Sequence, residues 1–65
     1  MILYIQDFET EHVLFETCVV FAVPNVGEEI RVKDEWYEVK QRGFYFNDEG
    51  KRGSSCSLFV KKVEN

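Results

Sequence analysis

The chain is poor in the residues that build catalytic and metal centres. His12 is its only histidine, and Cys18 and Cys56 are its only cysteines. They lie far apart and outside any Cys-x-x-Cys spacing, so no metal-ligand cluster or redox pair is written into neighbouring positions. Each thiol is expected to be reduced and buried, the alternative being a disulfide between them. One proline and four glycines are too few for a linker or a low-complexity segment, and no repeat is visible. No apolar run reaches the length of a membrane span. The opening Met1-Ile2-Leu3-Tyr4-Ile5-Gln6-Asp7 has neither a basic start nor a small-residue cleavage site, which points to a cytosolic protein. Basic residues are also scarce. Eight stand against twelve acidic ones, a formal charge of −4, and this opposes general nucleic-acid binding, which depends on neutralising phosphates.

Aromatic and β-branched residues are plentiful. Six Phe, three Tyr and one Trp among 65 residues can fill one small core and argue against disorder. Residues 1–65 therefore read as one domain, close to the lower size limit for folding without a staple. A first strand is expected over 2–8 and a second over 12–23, where Val13, Phe15, Thr17, Val19, Phe21 and Val23 share one parity. That segment exceeds a typical strand, so a bulge or bend is expected near Thr17 or Cys18. A third strand is expected over 28–33. The fourth starts at Trp36 and continues past a bulge or kink at Gly43 to Phe46. Residues 47–55 are a polar loop, and residues 56–63 form the last strand.

The hairpin is the clearest local signal. Ile30 and Val32 alternate with Arg31 and Lys33, and Tyr37 and Val39 alternate with Glu38 and Lys40. With Asp34 and Glu35 as the turn, Val32 faces Tyr37, Ile30 faces Val39, Arg31 faces Glu38 and Glu29 faces Lys40. Apolar then meets apolar and plus meets minus, each pair contributing roughly 0.2–1 kcal/mol. A four-residue loop over 33–36 is the alternative, because Asp-Glu lacks the glycine of a tight primed turn.

The pattern Pro24-x-x-Gly27-Glu28-x-Ile30-x-Val32, a short turn, then Tyr37-x-Val39 resembles the central hairpin of small SH3-like barrels found among short bacterial and bacteriophage proteins. The resemblance covers about a quarter of the chain. It implies an all-β fold, a small five-stranded antiparallel SH3-like barrel. It also implies a binding module of the kind that phages and mobile elements use to inhibit or adapt a host protein, although such barrels serve many unrelated roles.

Three surfaces are candidates for that role. Trp36 beside the hairpin turn is a candidate interface anchor, or else it folds over one end of the barrel. Leu14, Val20 and Ala22 form a second apolar face on the strand over 12–23, to be covered by the chain's own loops, a partner protein or a second copy. Lys40, Arg42, Phe44, Tyr45, Lys51 and Arg52 form a basic and aromatic set able to hold a single nucleic-acid strand by stacking and charge. A third possibility is an oligomer that encloses a small ligand. Leu3–Phe8 and Arg42–Phe46 also look like the two aromatic motifs of RNA-recognition domains, but Tyr45 stands where that pattern wants Gly or Ala, and too little chain follows Phe46. Gly50-Lys51-Arg52-Gly53-Ser54-Ser55 lacks phosphate-loop spacing. No base is placed against Ser54, Ser55 or Ser57. Neither an enzyme nor a cofactor is therefore expected.

Overall fold

The structure, a computed structural model, describes residues 1–18, 22–46 and 54–64. Five strands run β1 (Ile2–Asp7), β2 (Val13–Cys18), β3 (Glu29–Val32), β4 (Glu35–Tyr45) and β5 (Ser55–Lys62). They form one curled sheet in the order β2-β1-β5-β4-β3. All-β architecture and five strands agree with the sequence reading. The purely antiparallel arrangement does not, because β1 pairs with β5 in parallel, while the β1–β2, β3–β4 and β4–β5 pairs are antiparallel. The correction is one of parity. In a meander of five strands running alternately up and down, the first and last point the same way, so bringing them together must make a parallel pair. Among the described residues no pairing joins β2 to β3, and over those residues the sheet is a half-barrel, compatible with an SH3-like fold.

The covered face holds the core. Leu3, Ile5, Val32, Val39, Cys56, Leu58 and Val60 are buried, with Leu14, Val23, Ile30 and Tyr37 packed against them. Cross-strand rows explain the membership. Leu3 lies beside Cys56 and Phe44, Ile5 beside Leu58 and Arg42, and Asp7 beside Val60 and Val39. The alternate rows, Tyr4 with Ser57 and Gly43, and Gln6 with Phe59 and Gln41, occupy the outer face.

Two bulges set which residues share that core. In β4 the register slips between Val39 and Gln41, so Lys40 is the extra residue and Arg42 and Phe44, not Gln41 and Gly43, continue the covered face. The irregularity thus sits at Lys40, three residues before the glycine expected to carry it. In β2 the slip falls between the partners of Ile5 and Gln6, which are Phe15 and Val13. Leu14 is the extra residue there, and the bulge lies upstream of the Thr17 and Cys18 positions expected from the sequence. Ala22 and Val23, expected at the end of the second strand, lie outside any strand, and residues 19–21 lie outside the described residues.

The hairpin register differs as well. Ile30 pairs with Tyr37, Arg31 with Trp36, Val32 with Glu35 and Glu29 with Glu38. The turn is Lys33-Asp34, both left-handed at φ 50° and 71°, the conformation of a two-residue primed turn whose twist matches that of the strands. Upstream, Gly27 at φ 96° takes the left-handed conformation that favours glycine, and its N–H donates to the Val39 carbonyl at 2.9 Å.

Candidate functional site

The unclosed edge between β2 and β3 forms an apolar groove of about 200 Å³. Leu3, Ile5 and Leu58 make its floor, a consequence of the parallel β1–β5 pairing that sets Ile5 beside Leu58. Phe15 contributes from the β2 side and is 39% exposed, since among the described strands β2 ends the sheet. The other wall is a continuous run, Ile30-Arg31-Val32-Lys33, from β3 and its turn. Among the described residues its charged members are Arg31 and Lys33, both cationic, on a chain that is acidic as a whole. Arg31 holds Asp34 through an exposed ion pair at 3.3 Å, which contributes little to stability. Among the described residues Lys33 has no ion-pair partner.

Trp36 lies on the same hairpin, in the row that alternates with the groove-lining Ile30 and Val32 and therefore on the hairpin's outer face. It lies directly across from Arg31, is 48% exposed, and is held in place by its backbone carbonyl, which accepts from Val63 N–H at 2.8 Å. Of the other residues expected on an apolar interaction face, Leu14 is half-buried against the core, turned there by the β2 bulge. Ala22 is exposed, and Val20 lies outside the described residues. The structure thus leaves Trp36 and Ala22 at the surface and folds Leu14 inward.

The basic and aromatic set is divided in the same way. Phe44 and Phe46 stack with ring centroids 6.2 Å apart, and the Arg42 guanidinium sits 5.3 Å from the Phe44 ring centroid. Tyr45 is exposed but points to the opposite face of β4, its row shared with Ser55. Arg42 is already engaged, donating to Asn25 Oδ1 at 2.6 Å and to the Pro24 carbonyl at 3.4 Å. Lys40 pairs with Glu38 at 3.2 Å, not with Glu29. Lys51 and Arg52 lie outside the described residues.

Both cysteines are free. Cys56 is buried in the core, and that burial pushes its thiol pKa up, partly offset by the nearby Arg42 charge. Cys18 is exposed, contrary to the expectation of a buried thiol, because it lies in the outer-face row of Ile2 and Ser55. The two thiols are on opposite faces with β1 between them, which no disulfide geometry spans. At the β1–β2 turn, Asp7 Oδ1 accepts from the Thr10 N–H at 2.9 Å and the Glu9 N–H at 2.7 Å, and these bonds hold its carboxyl below the usual value of 3.8. Among the described residues no group of three His, Cys, Asp or Glu side chains could hold a metal ion, and no helix is long and apolar enough to cross a membrane.

Compared with models of known families, with curated proteins and with solved structures, the chain matches none. The site therefore stands on its own residues. Ile30, Arg31 and Lys33 entered the sequence reading as one hairpin arm, and Phe15 as one member of a strand. What joins them is the β2-β1-β5-β4-β3 order, for which the local alternation of side chains carries no signal.

Proposed function

We propose that the protein is a small binding module that engages another protein through the β2–β3 side of its sheet, with Trp36 on the outer face of the β3–β4 hairpin as a second contact. The observation that carries this reading is the apolar groove left where the sheet does not close, since contiguous exposed apolar surface on a small protein marks an interaction site. The groove, at about 200 Å³, falls below the roughly 300–1,000 Å³ of small-molecule sites. It suits one large apolar side chain of a partner better than an enclosed ligand. Trp36 adds the residue type most enriched among interface anchors. A host protein as the target, as in the phage and mobile-element barrels that the hairpin resembles, is the form of this reading that the resemblance suggests.

Single-stranded nucleic acid is the second reading, favoured by the Phe44–Phe46 stack with Arg42 over it. Against it, Arg42 is committed to Asn25 Oδ1 and the Pro24 carbonyl within the chain, and the net charge of −4 opposes phosphate neutralisation.

The two readings separate by comparing tagged full-length baits. A protein recovered from host lysate by the wild type, lost with Trp36→Ala and kept with Tyr45→Ala/Phe46→Ala, is the expected pattern. Retention with Trp36→Ala and loss with the aromatic pair would overturn the first reading in favour of the second.

A further inference from the structure

The geometry points to the class of partner segment that the open side accepts: an extended peptide carrying a large apolar side chain flanked by acidic residues, added as a strand along β3. This inference rests on the protein-binding reading above and makes it more specific.

Three observations carry it. First, the groove follows one strand. Four consecutive residues, Ile30 to Lys33, form one wall, whereas among the described residues β2 contributes Phe15 and the loop after it Pro24, so an occupant that fills the groove runs alongside β3. Second, β3 is the end strand of the sheet and pairs only with β4. Among the described residues its outer N–H and C=O groups find no backbone partner. Such an edge accepts an added strand by main-chain hydrogen bonds, with alternate side chains entering pockets. A lipid or small apolar ligand could not use those groups. Third, the charge at the groove is one-sided. Among the described residues its charged lining is Arg31, in an exposed pair with Asp34 that contributes little, and Lys33, which has no ion-pair partner, on a protein whose net charge is −4. A basic segment, although drawn to the acidic protein as a whole, meets two like charges at the groove and, among the described lining residues, no carboxylate. An acidic segment meets the two cations at the point of docking, which supplies specificity there.

The geometry also sets the length. Strand β3 is four residues long, so a peptide of about ten residues, at about 3.3 Å per residue, covers it with both flanks.

The test uses the full chain and an array of synthetic peptides of about that length. Each has Leu, Ile, Phe or Trp at its centre, flanked by Asp and Glu, by Ser and Gly, or by Lys and Arg. Acid-flanked peptides are expected to bind at least about tenfold more tightly than base-flanked ones at low salt, with the gap narrowing as salt rises. N-methylation of edge-facing amides in the best peptide should weaken it by about tenfold, the value of one or two main-chain hydrogen bonds. Binding should also slow amide exchange along β3. The Arg31→Gln/Lys33→Gln variant should lose the preference for acid, and Arg31→Glu/Lys33→Glu should invert it, both with unchanged melting temperature, because these side chains are exposed.

Equal binding of all three classes, a preference for basic flanks, or an acid preference that survives charge reversal in a folded variant would overturn the inference. Its failure is distinguishable from failure of the broader reading. A protein captured through Trp36 whose affinity ignores Arg31→Glu/Lys33→Glu leaves the module standing and removes the acidic strand.

Discussion

Arg42 donates to Asn25 Oδ1 at 2.6 Å, tying the middle of β4 to the loop that leads into β3. The contact exists because the Lys40 bulge turns Arg42 toward the covered face, beside Leu58. The same loop is fastened by Gly27 N–H to the Val39 carbonyl and Val39 N–H to the Glu28 carbonyl, each at 2.9 Å. Arg42 therefore helps position the β3 wall of the groove, a structural task for a residue that the sequence alone offers as a phosphate ligand.

Removal of either partner should lower stability. Arg42→Ala and Asn25→Ala are each expected to cost about 0.5–1.5 kcal/mol, the range of a typical intramolecular hydrogen bond, because this one is exposed. The double variant should cost less than the sum, since both changes delete one interaction. Urea denaturation of the four proteins measures this; strict additivity would show that the two residues act separately.

Asp7 predicts a pH dependence. Its folded pKa is depressed by the Thr10 and Glu9 amides, so its contribution to stability is fully present above the unfolded value near 3.8 and fades as pH falls through the lower folded value. Asp7→Asn keeps an acceptor oxygen but does not titrate, so the variant should show a shallower loss of stability below about pH 4. Carboxyl-carbon NMR titration should place the Asp7 midpoint below 3.8, and a midpoint at or above it would contradict the turn geometry.

The two thiols should differ in reactivity. A thiol reagent at neutral pH is expected to modify Cys18 rapidly in the folded protein and to reach Cys56 only on unfolding, since burial both shields Cys56 and raises its pKa. Cys18→Ser should abolish the fast phase. Rapid labelling that persists in that variant would place Cys56 at the surface.

Gly43 offers a stabilising change. It sits inside β4 opposite Ser57, and a Cβ added there meets nothing within 4 Å. Gly43→Ala should raise stability by about 0.4–1 kcal/mol through the unfolded chain's lost freedom, a gain of several degrees in melting temperature for a domain of this size. A fall in melting temperature would contradict the open space around Gly43.

What the sequence made legible followed from alternation, and what it hid followed from shifts in alternation. The strands over Ile30 and Val32 and over Tyr37 and Val39 were visible because their side chains keep period two. Their register was not, because a shift of two residues leaves every side chain on its own face. Opposite charges favoured Glu29 against Lys40, whereas the primed Lys33-Asp34 turn places Glu29 against Glu38. The acids of β4 find cations elsewhere, Glu38 at Lys40 and Glu35 at Lys62. At Leu14 and Lys40 a single extra residue exchanges the faces, and this placed Leu14 wrongly outward and left Arg42 unrecognised as a tether. Trp36 was legible as a candidate because it adjoins a turn. The groove was not, because it depends on which strands become neighbours.

The most direct test of the open side of the sheet as a protein-binding surface is affinity capture of the tagged full chain from host lysate, with and without nuclease, followed by mass spectrometry and nucleic-acid quantification. One defined protein, recovered equally in both arms, is the predicted result. Recovery of nucleic acid alone, lost on digestion, would contradict it and make the Phe44–Phe46 strip the working surface.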